Sequence, residues 1–411
     1  MKMQIIFISN TCSEEKYKEV TEIKVGSYLT ASQKYFLLLL TGMQYRENVK
    51  ISHITAIPVD QSNCKKKVWK TETELITECL KFIYLGFINL KVVKNLSFII
   101  NSFITTFRMI SEKKDIVLVC DPLAYDASIG AVFAARIKGI TCTAILTDIP
   151  EYIAAIEKTK MNAIKRIVER IKRWVTNRLI NSFDNYVFLT EPMNDVINKK
   201  NKPYIIVETA ADFRQKDDIK IPVKRDKRIV LYAGGLYEKF GIKTLIEASA
   251  YIKTPDMEIH LYGEGSYVPK IIEKEKEVEI LKYKGMVSLQ EIVEKEKEAT
   301  LLINPRPSKE EFTVYSFPSK IVEYMSTGTP CLTTKLKGIP SEYYKYMFVI
   351  EDETPEGIAE AIDRTLSLSS EFLYSFGVKA KEFVCSKKNN IVQGEKVVDF
   401  LSKHTTKGNT I

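Results

Sequence analysis

Thr300-Leu-Leu-Ile-Asn304-Pro-Arg306-Pro, continued by Ser316-Phe317-Pro318-Ser319-Lys320-Ile-Val-Glu323-Tyr-Met-Ser-Thr-Gly328-Thr-Pro330, decides how the whole chain is read. The apolar run predicts a buried strand, and the basic segment after it predicts a loop. A helix is expected to open at Ser316-Phe317-Pro318 and to stop at Gly328, with Pro330 just beyond. Proline in a first turn and glycine past the last are the ordinary punctuation of a helix. Free backbone N–H groups at such a start form an anion site, and Lys320 adds a positive charge there. Glu323 follows Ser319 by four residues, so both lie on one helix face. An anion cradle beside a carboxylate suits a nucleoside diphosphate with its ribose hydroxyl pair.

Working outward, strands and helices alternate along the chain, which argues a parallel sheet covered on both faces. In the first half, continuous apolar runs predict strands at Met3–Ser9, Asp115–Asp121, Thr141–Asp148, Tyr186–Thr190 and Tyr204–Glu208. Continuous rather than alternating apolarity is expected of strands buried on both faces. Phe213–Arg225 is polar and aperiodic and reads as a linker. In the second half, strands fall at Ile229–Ala233, Met257–Tyr262, Ile280–Lys284, Thr300–Asn304, Cys331–Thr333 and Met347–Glu351. Helices are expected at Ile242–Ile252, Val268–Lys276, Leu289–Ala299, Pro318–Thr327 and Pro355–Leu368, with two more over Phe372–Phe383 and Asn390–Lys403.

The opening stretch resembles the donor-site signature of GT-B glycosyltransferases, specifically the retaining family 4 group of bacterial surface-polysaccharide assembly. Arg228-Ile-Val-Leu-Tyr-Ala-Gly-Gly235-Leu through Gly241-Ile-Lys-Thr-Leu-Ile-Glu247-Ala resembles that family's first C-domain strand, loop and helix. His260-Leu-Tyr-Gly-Glu-Gly265 is similar to its next strand and turn, and Tyr283-Lys-Gly285-Met286-Val287 to its base-binding loop. The likeness is strong over residues 228–403 and only in outline over 1–215. It implies an α/β architecture of two Rossmann-like parallel-sheet domains facing a cleft. Residues 1–215 would form the acceptor side and 216–385 the nucleotide-sugar side. Residues 386–411 would carry a helix crossing back to the first domain.

The resemblance also assigns residues. Glu323 matches the second glutamate of the family's E-x7-E motif, which binds ribose hydroxyls; the plain alternative is a solvated helix glutamate. Tyr315 stands where the first glutamate is expected, so sugar recognition would fall to Tyr315 or to the backbone N–H groups of the loop, at Ser316, Phe317 and Ser319 around Pro318. The family's phosphate-binding Arg and Lys are replaced by Gly235 and Phe240. Lys239 is one residue off, and Arg306 and Lys320 are the better substitutes, since an arginine fork gives bidentate hydrogen bonds to a diphosphate. Gly234-Gly235 fits a close backbone approach to phosphate or sugar, or a plain strand-to-helix turn. Asp148 ends a strand at the carboxyl edge of the first sheet, where open α/β sheets bind ligands. It either meets a sugar hydroxyl or caps a helix. Asp121 is a weaker counterpart.

Composition narrows the class. Net charge is +9, which favours nucleic acid, an anionic membrane face or phosphorylated substrates as partners. No nucleic-acid module is visible. Three histidines, at 53, 260 and 404, are too dispersed for a metal cluster, and the family's chemistry needs none. Seven cysteines form no CxxC pair; Cys12, Cys120, Cys142 and Cys331 read as buried thiols in a reducing cytosol. Ile164, Ile167, Val168, Ile171, Trp174, Val175 and Leu179 recur at helical spacing, with Lys165, Arg166, Arg170, Lys172, Arg173 and Arg178 on the other face. This reads as a basic amphipathic helix on a membrane surface, or as a helix packed on the sheet. Phe82–Ile110 is apolar but interrupted, too short a run to span a bilayer, and reads as a buried helix pair or a dip into one leaflet. The expected activity is transfer of a sugar from a nucleotide donor, UDP favoured by the resemblance, to a saccharide or polyprenyl-diphosphate-linked acceptor at the inner membrane face. An inverting transferase using Asp148 as base, and a non-catalytic sugar-nucleotide-binding partner, stay open.

Overall fold

A computed structural model describes residues 3–23, 31–59, 61, 63–111, 115–150, 163–216 and 227–405. The chain forms two compact units, Met1–Glu208 with Asn390–Ile411, and Thr209–Asn389.

In unit 1 the strands are β1 (Met3–Ile8), β2 (Val49–Thr55), β3 (Val68–Trp69), β4 (Glu72–Leu75), β5 (Leu80–Tyr84), β6 (Phe87–Ile88), β7 (Ile116–Cys120), β8 (Cys142–Leu146), β9 (Asn185–Phe188) and β10 (Tyr204–Ile206). Eight of them make one sheet in the order β10-β9-β8-β7-β1-β2-β5-β4, parallel except for the β4 edge; β3 and β6 pair separately. The helices are α1 (Glu14–Ile23), α2 (Ala31–Met43), α3 (Lys91–Ser111), α4 (Tyr125–Ile137), α5 (Ala163–Ser182) and α6 (Glu191–Ile197). The strands expected in the first half are all present, two to three residues shorter at their ends in most cases. β2 and β5 were not expected. β2 reads Val49-Lys-Ile-Ser-His-Ile-Thr, whose polar residues break the apolar run. Ser52 and His53 are nevertheless buried, and His53 Nε2 pairs with Ser9 Oγ at 2.9 Å. The helix pair expected over Phe82–Ile110 is corrected. Phe82 lies in β5, Phe87 pairs in β6, and only α3 is helical. Of the linker expected over Phe213–Arg225, residues 217–225 fall outside the described residues, and Phe213–Gln215 is a 3₁₀ turn.

Unit 2 holds β11 (Arg228–Ala233), β12 (Met257–Tyr262), β13 (Leu281–Gly285), β14 (Leu301–Asn304), β15 (Cys331–Thr334) and β16 (Phe348–Ile350), all parallel, in the order β13-β12-β11-β14-β15-β16. Its helices are α7 (Ile242–Ala248), α8 (Val268–Glu275), α9 (Leu289–Glu298), α10 (Phe312–Tyr315), α11 (Ser319–Thr327), α12 (Pro355–Leu366) and α13 (Ser370–Lys387). Val230, Leu245, Ile259, Leu301, Leu332 and Ile362 meet in one apolar core on the sheet. The helix expected to open at Ser316 begins instead at Ser319. Pro318, at φ −64° and ψ 114°, occupies the cap position, and Gly328 ends the helix at φ 81°.

The last helix, α14 (Asn390–His404), belongs to unit 1 although it follows unit 2 in the chain. A Cβ at Gly42 of α2 would lie 1.8 Å from Asn390 O, so the two helices cross at backbone contact. Gln393 Nε2 donates to Glu208 Oε2 at 2.9 Å and fixes the helix against the end of β10.

Candidate functional site

The carboxyl ends of three neighbouring strands of unit 2 are locked together through backbone. Gly263, after β12, has φ 129°, and a Cβ there would fall 1.9 Å from Gly234 O, after β11. Gly263 N donates to Gly285 O at the end of β13 (2.9 Å), and Tyr283 Oη donates to Gly263 O (3.1 Å). Gly241 (φ 81°) brings the β11–α7 loop against the loop after β14, since its Cβ would sit 1.9 Å from Pro305 O. A left-handed backbone in contact with a carbonyl admits only glycine at low cost. Tyr324 of α11 adds a side-chain tie. Fully buried, its hydroxyl accepts from Ala233 N (2.9 Å) and donates to Ala233 O (3.2 Å), pinning the helix to the last residue of β11.

Cations collect around this junction. Lys320 runs past the glycine pair, because a Cβ at Gly234 would meet Lys320 Cε at 3.5 Å and Tyr232 Oη at 3.1 Å. Tyr232 Oη donates to Gly235 O at 3.0 Å. Burial pushes the Tyr232 phenol up, and Arg306 and Lys320 both pull it back, so one hydroxyl feels both charges. The Arg306 guanidinium lies 4.7 Å from the Phe240 ring centroid and 5.6 Å from that of Phe312. The Lys239 ammonium lies 5.2 Å from the same Phe240 ring. Cations are held over aromatic faces by the ring quadrupole. Burial, and then the nearby Arg306, hold Lys239 below its ordinary pKa.

Lys320 Nζ pairs with Glu323 Oε2 at 3.0 Å, both side chains being partly covered. Burial works against the ammonium, but Glu323 and Glu296 outweigh it and raise its pKa above the ordinary lysine value. Phe317 turns its ring into the core against Tyr343 (5.2 Å). Pro318 is buried, while Tyr315 and Ser319 are half-buried. Ser316 Oγ is buried with no hydrogen-bond partner among the described residues. In the β13 loop, Gly285 has φ 72° with open space where a Cβ would be, Met286 is exposed and Val287 half-buried.

Gly234, Gly235, Lys239, Arg306, Lys320 and Glu323 thus gather at one sheet edge, with Gly285 tied to them through Gly263. Asp148 is not among them. It lies exposed past β8, in unit 1. The contacts of Tyr232, Phe240 and Phe312 with the cations, and the tie of Tyr324 to β11, escaped sequence reasoning. The only available signal was the place of these residues directly beside the glycine and proline motifs.

Unit 1 has its own polar edge. A cavity of about 210 Å³ is lined by residues that include Asn10, Pro58, Lys94, Asn95, Tyr125 and Asp126. Asn95 Nδ2 donates to Tyr125 Oη at 2.7 Å, and Asp126 Oδ1 is buried without a hydrogen-bond partner among the described residues. Nearby Asp121 is buried and pushed up to about 7, by desolvation first and by the Asp148 charge after it. Among the described residues, no three His, Cys, Asp or Glu side chains gather as a metal set.

Residues 227–367 match the family model described as glycosyl transferases group 1. No curated protein sequence matches the chain. Solved structures resemble it over nearly its whole length. Sucrose-phosphate synthase from Thermosynechococcus elongatus is 14% identical, over 98% of this chain and 99% of its own, with TM-score 0.68. HepE of Anabaena, in complex with UDP, is 11% identical over 98% and 100%, with TM-score 0.60. The E. coli trehalose-6-phosphate structure bound with UDP-2-fluoro glucose is 9% identical over 97% and 99%, with TM-score 0.63. The fold is therefore that of the GT-B glycosyltransferases.

Proposed function

We propose that the chain is a glycosyltransferase that moves a sugar from a UDP-sugar to a lipid-linked saccharide, with retention, in assembly of a surface polysaccharide. The observation that carries this reading is the convergence of Arg306, Lys320 and Glu323 on the Gly234-Gly235 turn, inside the stretch matching the glycosyl transferases group 1 model. Two structures of the same fold have UDP or a UDP-sugar analogue bound, which favours UDP as the donor nucleotide.

In this reading residues 216–385 hold the donor, residues 1–215 the acceptor, and 386–411 close the first domain. The uracil lies along Gly285, Met286 and Val287. Glu323 accepts from the ribose hydroxyls. Arg306 and Lys320 take the diphosphate, with Lys239 in reserve. Phe317 contributes backbone only, and Tyr315, Ser316, Pro318 and Ser319 shape the sugar end of the site. When the sugar C1–O bond to the diphosphate breaks, charge grows on the leaving oxygen, and prepositioned cations and N–H groups stabilise it most there. The acceptor oxygen bonds to C1 on the same face, and its proton passes to the departing diphosphate. No protein base and no metal is needed. The acceptor saccharide occupies the unit 1 cavity, with Asp148 beside it as a hydroxyl partner, and its lipid places the enzyme at the cytoplasmic membrane face.

A thermal-shift screen of nucleotides and nucleotide sugars tests the donor without knowledge of the acceptor. Stabilisation by UDP and one UDP-sugar, but not by GDP or CDP, is expected. No stabilisation by any sugar nucleotide overturns the reading. Proton NMR of the first product then separates retention from inversion by the anomeric configuration.

A further inference from the structure

The sequence left two readings of the helix around Trp174, membrane-facing or packed on the sheet. Among its described side chains, those of α5 that are buried lie toward its C-terminal end: Thr176, Leu179 and Ile180. Ile167, Val168, Ile171 and Trp174 are exposed, Trp174 by 60%. The side chains of Ile164 and Lys165 lie outside the described residues. Arg166, Arg170, Lys172, Arg173 and Arg178 are also exposed and flank the apolar stripe, with Arg178 5.1 Å from the Trp174 ring centroid.

The feature extends beyond α5. On α3, Val93, Leu96, Ile100 and Ile104 follow at steps of three, four and four, which is one stripe along the helix, and all four are exposed. On α4, Phe133 (62% exposed) and Ile137 are four apart and exposed. These helices are neighbours. Gly130 of α4 packs against the backbone of Ile99, the Phe103 and Phe133 rings lie 5.6 Å apart, and the Lys172 ammonium lies 5.0 Å from the Tyr125 ring centroid. Large apolar side chains gathered on neighbouring helices are unusual on a protein surface that meets only water.

We propose that the exposed stripes of α3, α4 and α5, with the basic flanks of α5, form a surface that inserts shallowly into an anionic lipid bilayer. The inference rests on the lipid-linked acceptor reading for its purpose, but on these helices for its evidence. Charge selects the occupant. A second copy of the same surface would set these arginines and lysines against their own kind, whereas phospholipid headgroups complement them. Among the described residues no helix is long and apolar enough to cross a membrane, and α3 carries Lys94 and Arg108. Helices of this kind lie in the interface plane.

The test uses the whole protein and vesicles of phosphatidylcholine with or without phosphatidylglycerol. The chain has two tryptophans, and Trp69 is buried against Phe87. A blue shift on adding vesicles therefore reports Trp174. The expected results are a shift that needs phosphatidylglycerol, and quenching by bromine-labelled acyl chains. Sedimentation with vesicles should fall about tenfold or more in a Leu96→Ser/Ile100→Ser/Ile171→Ser/Trp174→Ser variant, since each buried apolar side chain contributes on that scale. An Arg166→Glu/Arg170→Glu/Arg173→Glu variant should also detach. All these positions are exposed, so UDP affinity and thermal unfolding without lipid should be unchanged. Unshifted emission with equal sedimentation of all three proteins overturns the proposal, as does a lipid-free dimer that buries Trp174. Docking without any UDP binding would remove the donor reading and leave this surface standing; UDP binding without docking does the reverse.

Discussion

Glu323→Ala separates a ligand contact from a structural ion pair. Its partner Lys320 is 3.0 Å away, and the two side chains are 30% and 19% exposed. A pair so placed contributes about 0.2–1 kcal/mol to folding. Its loss should lower the melting temperature by no more than ~2–4 °C for a unit of this size. A charged hydrogen bond to a ribose hydroxyl is worth roughly 1.5–3 kcal/mol. That corresponds to a UDP dissociation constant raised about ten- to a hundredfold. The released Lys320 is freer to meet the diphosphate, which places the expected change at the lower end, near tenfold. Titration calorimetry with UDP and a thermal melt of the same sample give both numbers. A measured affinity within twofold of wild type would refute the ribose contact. A large fall in stability with unchanged affinity would make Glu323 a structural residue.

Arg306→Ala and Lys320→Ala should each lower kcat by a larger factor than they weaken UDP, because leaving-group charge is greatest in the transition state; wild-type turnover in Lys320→Ala would shift the role to Lys239. Tyr324→Phe should destabilise unit 2 by about 1–3 kcal/mol, since it leaves the buried Ala233 N–H unpaired; an unchanged denaturation midpoint would contradict the tie between α11 and β11. Burial lowers the His53 pKa to about 3, so between there and the unfolded value near 6.5 the unfolded chain binds the extra proton and stability falls as pH falls. Asp121, raised to about 7, acts in the opposite sense, losing stability as pH rises from about 3.8 to 7. His53→Gln should therefore remove the His53 loss on the acid side and leave the opposing Asp121 contribution uncompensated, and a profile superimposable on wild type would refute the buried neutral histidine.

Unit 2 was legible because its strands are apolar runs buried on both faces and its helices are bounded by proline and glycine. β2 and β5 were not, because Lys50, Ser52, His53 and Lys81 interrupt their apolarity. Sheet pairing and the Ser9 contact at Nε2 hold His53 in the sheet in a way no local pattern reveals. α10 is a single turn, too short for periodicity to register. Pro318 was placed inside α11 instead of at its cap, since composition marks a helix end only to within a turn. The residue types of the candidate site could be read from motifs, but not their assembly. Arg306 and Lys239 come from different loops and meet over Phe240. The amphipathic pattern of α5 was plain, but periodicity identifies an apolar face without saying whether anything covers it.

The central claim is that a UDP-sugar binds at the carboxyl edge of the unit 2 sheet. Photolabelling with a 5-azido-UDP-sugar, followed by peptide mass spectrometry, tests it most directly, because the reactive group sits on the uracil. The label should appear in the peptide containing Gly285, Met286 and Val287, and excess UDP should abolish it. Label confined to peptides of residues 3–208, or labelling that UDP does not compete, would contradict it.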